Sequence, residues 1–207
     1  MARRVRHHVN PLRSPFLERQ LPPLQLPAGR DVEVELGCAD ARFLFERAPR
    51  HPGMHFVGLE IRKPMVEQVN EQAAELALTN LHAAYCNINV DLPHLFPDRS
   101  LARIFVNFPD PWFKRRHQNR RLMNDELVPV LHDKLRPDGE LFFQSDVFDL
   151  ALDAMAVLEG ATERFANRLG PWSFVRGNPF DAKSLREVRC EERGMRIWRM
   201  CYRRLGD

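Results

Sequence analysis

A short segment around Asp110 combines three kinds of side chain that suit contact with a nucleic acid. Residues 107–121 read Asn-Phe-Pro-Asp-Pro-Trp-Phe-Lys-Arg-Arg-His-Gln-Asn-Arg-Arg. Two prolines stiffen the chain around the carboxylate, aromatic residues lie on either side of it, and five cations follow within ten residues. An unstacked base gains ~1–3 kcal/mol by stacking on an aromatic ring, and cations hold the phosphates. The segment therefore predicts contact with a polynucleotide.

A second group of residues has the spacing of a nucleoside-binding site. Gly37 follows the apolar run at residues 32–36, and Glu60 ends the next apolar run, roughly 20 residues later. A glycine there allows a tight turn beside a ligand, and an acid can accept both hydroxyls of a ribose. The glycines of a pyrophosphate site are missing, since Ala39 and Arg42 stand at their positions. This pattern favours S-adenosylmethionine, which has no phosphate, over NAD.

Glu35 is an acid inside the first apolar run and has two interpretations. It is either a structural residue whose hydrogen bonds are satisfied inside the protein, or a ligand of the cofactor's methionine amino group or of the backbone beside it. The residue types leave both open.

Short apolar runs alternate with helical segments from Asp31 onward, which predicts a parallel sheet covered by helices on both faces. Such a doubly wound sheet binds ligands beyond the carboxyl ends of its strands. Pro129 leaves open whether its helix is kinked or begins later. We expect a turn at residues 137–139, strands near 32–36, 55–59, 81–86, 102–108, 140–144 and 195–202, and helices near 41–48, 64–76, 124–135 and 147–159.

Length and charge define the organisation of the chain. With 207 residues, 44% of them hydrophobic, it can build one domain, which we place at residues 31–207. The net charge is only +3, but cations cluster in three places: residues 1–30, residues 114–121 and the last twenty-odd residues. The first cluster contains Arg3, Arg4, Arg6, Arg13, Arg19 and Arg30. Repeated prolines there oppose the amphipathic helix of a transit peptide and favour an extended basic arm.

Several classes of protein are disfavoured. No apolar stretch approaches the ~18 residues of a membrane span, and no leader-like segment follows the first arginines. The four cysteines have no short spacing, so we expect reduced thiols, with neither a disulfide framework nor a metal site. We expect a cytoplasmic protein without a membrane partner.

The segment around Asp110 carries a family resemblance. Pro109-Asp110-Pro111-Trp112, with Lys114, His117 and Arg120-Arg121, resembles the signature of the tRNA (guanine-N7-)-methyltransferases, which modify a variable-loop guanosine. The similarity extends from about Val32 to Arg203. It includes Glu35-Leu36-Gly37, Gly58-Leu59-Glu60, Ser145-Asp146, and Ser184, Glu187, Gly194 and Ile197-Trp198 at the family's spacings.

The resemblance implies a fold, a cofactor and a partner. The fold is α/β, the Rossmann-like, doubly wound, mostly parallel seven-stranded sheet of class I SAM-dependent methyltransferases. The cofactor is S-adenosylmethionine, the partner is tRNA, no metal is needed, and the protein is expected to be a monomer or a homodimer.

The resemblance also implies roles for individual residues. Asp110 is the catalytic position, and its carboxylate would stabilise the positive charge that appears on guanine. Asp146 and Glu187 are candidates for recognition of the guanine edge. Apart from the resemblance, the aromatic side chain of Trp112 or Phe108 could hold the unstacked base, and a place in the core fits Phe108 equally well. The cofactor-binding positions are Glu35, Gly37, Glu60, Asn87 and Asp110; the substrate-binding positions are Lys114, Asp146, Ser184, Arg186 and Glu187; the tRNA-backbone positions are Arg115, Arg116, His117, Arg120 and Arg121.

Three departures from the family pattern have physical consequences. The family usually has glycine at Ala39 and Ala41, and alanine costs ~1–3 kcal/mol if either backbone needs a positive φ. Asn87 stands where the family tends to have aspartate, and Ser184 replaces threonine. The first departure leaves a second function open, an RNA-binding protein that has lost its cofactor. A methyltransferase acting on a small molecule or a protein is opposed by the clustered cations, and a nucleotide-dependent oxidoreductase by the missing phosphate-binding glycines.

Overall fold

The computed structural model describes residues 9–12 and 21–206. Its strands are β1 (Val32–Leu36), β2 (His55–Glu60), β3 (Leu81–Tyr85), β4 (Leu101–Asn107), β5 (Leu135–Ser145), β6 (Phe165–Asn167) and β7 (Trp198–Arg204). Its α-helices are α1 (Arg42–Arg47), α2 (Lys63–Glu75), α3 (Ile88–Leu95), α4 (Leu127–Lys134), α5 (Phe148–Gly160) and α6 (Leu185–Glu192), and a 3₁₀ helix covers Arg115–Arg120.

The strands form a seven-stranded sheet in the order β3-β2-β1-β4-β5-β7-β6. The first five are parallel to one another, and β7 runs antiparallel to both β5 and β6. Chain order reverses between β1 and β4, so the carboxyl ends of these two strands open the crevice in which doubly wound sheets bind ligands. The expected fold is confirmed.

The two faces of the sheet differ in chemistry. In β1, the apolar residues at 32, 34 and 36 pack in the larger core, while Glu33 and Glu35 point to the opposite face, and all five residues are buried. Glu33 is neutralised there by Arg47, whose Nε donates at 2.7 Å, and by Arg103. Buried carboxylates thus line one face of the central strand.

Most expected elements are confirmed within two or three residues, and the four cysteines are free and buried. The expected turn at residues 137–139 lies inside the span of β5: Leu101 pairs with Leu135 and Arg103 with Glu140, and Asp138 between them has a left-handed φ of 59°. Helix α2 ends at Glu75, one residue before the expected end, and Leu76 beyond it is 57% exposed. Its buried stripe is Val66, Val69 and Ala73.

The question about Pro129 is resolved by a later helix start. Helix α4 begins at Leu127, so Pro129 lies in its first turn, where a backbone N–H has no intrahelical acceptor to lose. The Asn124 side chain accepts from the Leu127 amide at 2.8 Å and holds this start in place.

Within the described residues, four elements had no counterpart in the sequence interpretation: α3, β6, α6 and the 3₁₀ helix at Arg115–Arg120. Pro93 inside α3 opposes a helix prediction there, and β6, with only three residues, is too short to show a strand pattern. For α6 a signal existed, since Ser184 and Glu187 have the spacing of a capping box. The Ser184 hydroxyl accepts from the Glu187 amide at 3.2 Å and caps the helix.

The described part of the expected arm packs against the domain. The Leu21 amide donates to Asp91 at 2.9 Å and the Leu24 amide to the Leu95 carbonyl at 2.9 Å, while Leu26 contacts the core. Leu21, Leu24 and Leu26 therefore contact the domain, and the bounds of the arm and of the domain stay a prediction. Arg3, Arg4, Arg6, Arg13 and Arg19 lie outside the described residues. Within residues 9–12 and 21–206, no helix is long and apolar enough to cross a membrane, and no cluster of metal-ligating side chains occurs.

A histidine pair, formed by His55 of β2 and His82 of β3, predicts that stability depends on pH. His55 Nε2 and His82 Nδ1 are 3.0 Å apart, and burial followed by the neighbouring His55 lowers the pKa of His82 to about 4. The unfolded chain therefore binds a proton that the folded protein excludes, and stability falls as pH drops from about 6.5 towards 4. The protein loses stability between pH 7 and pH 5, and we expect this loss to be smaller in His82→Asn by on the order of 1 kcal/mol of unfolding free energy, or ~2–4 °C of melting temperature. An unchanged pH dependence of melting would contradict this assignment.

Candidate functional site

A cavity of about 560 Å³ opens at the carboxyl ends of β1 and β4. One wall is the turn after β1, with Gly37, and the end of β2, with Glu60. Another part of the wall is residues 108–112, the acidic loop, which contains Asp110. The two groups of residues that the sequence singled out separately therefore line a single cavity.

The turn after β1 adopts a strained backbone. Gly37 has φ +77°, and Ala39 and Ala41 have φ values of 52° and 51°. These are left-handed conformations that alanine adopts at a cost. Both positions at which the family usually has glycine therefore have the positive φ that makes alanine unfavourable. Gly58 in β2 makes room for this turn, because a Cβ there would lie 2.5 Å from the sulfur of Cys38.

Relieving the strain at Ala39 should stabilise the protein. Ala39→Gly removes the left-handed penalty but gives the unfolded chain more freedom, so we expect a net gain of about 1 kcal/mol. As the matched control, Ala74→Gly in the exposed face of α2 should lose about 1 kcal/mol. Thermal melting measures both. A loss in Ala39→Gly equal to that of the control would show that the turn is not strained.

Glu35 lies at the floor of the cavity, 3% exposed. Its Oε1 accepts from Asn107 Nδ2 at 2.8 Å, whereas Oε2 is buried without a hydrogen-bond partner among the described residues. Burial, partly opposed by the Asn107 hydrogen bond, raises the pKa of Glu35 to about 8. The interpretation in which both oxygens are hydrogen-bonded inside the protein does not describe this side chain, since Oε2 has no donor among the described residues, and the role of Glu35 in cofactor binding stays a prediction.

Glu60 is held by its neighbours at the end of β2. Its Oε2 accepts from the Ala39 amide at 3.0 Å, and its Oε1 accepts from Nε of Arg62 at 2.9 Å. The hydrogen bonds to Glu60, followed by the charges of Glu60 and Asp110, raise the pKa of Arg62. Arg62 therefore pairs with Glu60 and lies close enough to Asp110 to be influenced by its charge.

Asn87 caps helix α3 and contacts the N-terminal segment. Its side chain accepts from the Asn89 amide at 3.3 Å and donates from Nδ2 to the Pro11 carbonyl at 2.9 Å. Val9 and Pro11 consequently line the cavity beside it. Nothing in the sequence pattern indicates this contact, which joins residues 76 positions apart.

The acidic loop has a fixed shape. The Phe108 amide donates to the Gln144 carbonyl at 2.8 Å, and Arg121 Nε donates to the Pro111 carbonyl at 3.0 Å. Phe108 and Trp112 have positive φ values of 50° and 43°, and both line the cavity half-buried. Phe108 is thus a wall residue rather than a core residue.

The cations that follow the loop have different surroundings. Arg120 lies over the Trp112 ring at 5.0 Å, and His117 meets the same ring edge-on at 5.8 Å. Lys114 and Arg116 are exposed, while the side chain of Arg115 lies outside the described part of the chain.

Arg121 differs from the expectation of a phosphate contact. Its side chain is 11% exposed and pairs with Asp153 of α5, in addition to its bond to the loop. This geometry supports a role in bracing the acidic loop and does not support binding to a phosphate.

The remaining substrate positions lie on the β5 side. Asp146, Ser184 and Arg186 line the cavity, and Arg186 pairs with Asp146. Lys114 does not line it. Arg62 and Arg189 line the cavity without having been singled out in the sequence, although Arg62 follows Glu60 by two residues at the start of a helix.

Glu187 lies behind the cavity wall, fully buried. Its carboxylate accepts from Arg199 at 2.9 Å, from Gln144 at 2.9 Å and from Asn178 at 3.0 Å. Direct contact with a substrate is not supported by this arrangement. The contact remains a prediction that would require these bonds to rearrange.

Comparison with known proteins gives strong sequence matches. A family model described as a putative methyltransferase matches residues 30–200. A tRNA (guanine-N(7)-)-methyltransferase of Synechococcus sp. (strain JA-3-3Ab) is 37% identical over 207 residues, covering 96% of this chain and 85% of the relative. The protein of that name from Synechococcus elongatus is 37% identical over 210 residues, covering 98% and 97%.

Solved structures are similar in fold. A SAM-dependent methyltransferase from Aquifex aeolicus superposes with a TM-score of 0.57 at 12% identity, covering 86% of this chain and 84% of the other. The [4+2]-cyclase SpnF superposes with a TM-score of 0.55 at 15% identity, covering 84% and 75%. Since the second is named as a cyclase, the fold does not by itself determine the reaction.

Proposed function

Because the chain belongs to the tRNA (guanine-N(7)-)-methyltransferase family, we propose that it transfers the methyl group of S-adenosylmethionine to N7 of a guanosine in the variable loop of tRNA. The protein is a SAM-dependent methyltransferase with the class I Rossmann-like fold. The observation that carries the proposal is that the turn after β1 and the acidic loop line one cavity. With tRNA as its substrate, we place the enzyme in the cytoplasm.

The residues of the cavity fit this cofactor. Glu35 has a buried oxygen with no donor in residues 9–12 and 21–206, and the ammonium of a methionine moiety would supply a donor and the opposite charge. The ribose hydroxyls would bind Glu60 in place of the Arg62 guanidinium. Asn87 and the backbone at Gly37 complete the set of residues that would hold the nucleoside.

The transfer itself needs alignment more than proton movement. Guanine N7 carries an exposed lone pair, which forms the new bond to the methyl carbon while the electrons of the methyl–sulfur bond remain on sulfur. Bound S-adenosylmethionine supplies the activated methyl group. No base has to deprotonate N7 first, so the residues of this chain act by orientation and electrostatics.

Asp110 is the residue best placed to stabilise the reaction. Positive charge appears on the purine as it leaves the sulfur, and a carboxylate beside the ring favours that change. The loop bonds to Gln144 and Arg121 hold Asp110 at the cavity wall, so it pays little reorganisation when the substrate binds.

Recognition of guanine requires acceptors for N1–H and the 2-amino group. Asp146 lines the cavity, where Arg186 pairs with it, and a carboxylate there could accept from both donors. Adenine offers no such pair of donors, which gives a physical reason for guanine selectivity. Arg116, Arg120 and Lys114 would hold the neighbouring phosphates.

Labelled methyl transfer to two tRNA transcripts tests the proposal. One transcript is unmodified, and the other carries adenosine at the variable-loop guanosine. We expect label in the first only. Label in both, or in neither, would refute the proposed site.

A further inference from the structure

A row of buried polar side chains crosses the sheet between the cavity and helix α6. It consists of Glu35 on β1, Asn107 on β4, Gln144 on β5, Arg199 on β7 and Glu187 on α6, hereafter the polar row. All five are at most 8% exposed. Asn107 donates to Glu35 at 2.8 Å, and Gln144 donates to Asn107 Oδ1 and to Glu187 Oε2, each at 2.9 Å. One chain of hydrogen bonds therefore joins two carboxylates, that of Glu35 on β1 and that of Glu187 on α6.

The direction of these bonds is fixed by chemistry at the far end. Arg199 carries only donors, and its Nε donates to Gln144 Oε1 at 3.1 Å. The Gln144 amide must then direct its NH₂ group towards Asn107 and Glu187. Asn107 accepts with its oxygen and is left to present its own NH₂ group to Glu35. Arg199, three strands away, thus sets the orientation in which Asn107 donates to Glu35.

We propose that Asn107 and Gln144 are positioning residues, which hold Glu35 with one oxygen engaged and the other directed to the cofactor's ammonium. This inference rests on the proposed role of Glu35 in cofactor binding. The two amides touch neither reacting atom. Their effect is to orient the carboxylate and to favour its charged form, since a donor stabilises carboxylate over carboxyl.

The surroundings of Glu35 make that donor important. Asp40 and Glu60 place negative charge near it, and the Cys38 thiol lies on the same side. Burial and these two acids raise its pKa, and the Asn107 hydrogen bond is the influence that lowers it. Removing the donor should therefore require a higher pH before Glu35 can bind a cation.

Calorimetric titration of the full chain with S-adenosylmethionine from pH 6 to pH 9 tests the proposal. Asn107→Leu keeps the approximate shape and removes the donor, and we expect binding about 10- to 100-fold weaker at pH 7. The pH midpoint of binding should move up by about one unit. Gln144→Met should shift it in the same direction by less, because Asn107 can still donate. If Asn107→Leu does not fold, Asn107→Asp preserves the shape and should also move the midpoint upward.

Asn80→Leu is the matched control. Asn80 is a buried asparagine that bonds three backbone carbonyls far from the polar row, so its loss should lower stability and leave the pH midpoint unchanged. Wild-type binding at every pH in the Asn107 variants would overturn the proposal. Glu35→Gln distinguishes the role of Glu35 from the role of the two amides. If Glu35→Gln binds S-adenosylmethionine normally, the proposed role of Glu35 itself fails. If Glu35→Gln binds weakly while the Asn107 variants bind normally, only the positioning role is refuted.

Discussion

Replacing Asp110 with asparagine should lower the rate of methyl transfer by at least ~10²-fold while tRNA binding stays close to wild type. Asparagine has the shape of aspartate, so the acidic loop keeps its bonds to Gln144 and Arg121. What is lost is negative charge at the cavity wall, where the purine becomes positive. The effect should fall on kcat, because it acts in the transition state.

Asp125→Asn is the control for Asp110. This exposed acid precedes α4 and does not line the cavity, so its loss should change kcat less than twofold. Single-turnover methyl transfer and a filter-binding measurement of tRNA affinity report the two properties separately. A normal single-turnover rate in Asp110→Asn would remove this residue from the mechanism.

Glu35→Gln should weaken the binding of S-adenosylmethionine by ~10²-fold at pH 8, since it removes one partner of a buried charge pair. Glutamine still accepts from Asn107, so the fold is retained. In the wild type, affinity should rise with pH up to about 8, because the buried carboxyl must lose its proton before it can hold an ammonium. The variant should show no such rise.

Linkage gives a second readout for the same group. The pKa of Glu35 is raised to about 8 in the folded protein, so the unfolded chain releases this proton at a lower pH than the folded protein does. The free energy of unfolding therefore falls as pH rises from the unfolded pKa of 4.5 towards 8. Melting of the cofactor-free Glu35→Gln variant should lack that loss. Glu67→Gln, at an exposed pair with Lys63, is the control and should match the wild type. Identical pH profiles for wild type and Glu35→Gln would contradict the assignment.

Local sequence patterns predicted most of the helices and strands, and the chemistry of the acidic loop follows directly from its residue types. Alternating or continuous apolar residues predict a strand wherever it is buried, which is why β1 to β4 were found. Elements with weak or conflicting local signals were not found. Helix α3 contains a proline, β6 is short, and α6 is a polar helix whose buried Glu187 gives no apolar stripe.

The sequence by itself determined the turn at Gly37, the acid at Glu60 and the loop around Asp110, because each depends on neighbours within a few residues. It determined the fold class through the alternation of apolar runs and helical segments along the chain. Only the tertiary structure decided what those groups touch. Glu35 meets Asn107 across 72 positions of the chain, and Asn87 meets Pro11 across 76. Which partner satisfies a buried polar group depends on strands brought together by the whole core, and no local pattern contains that information.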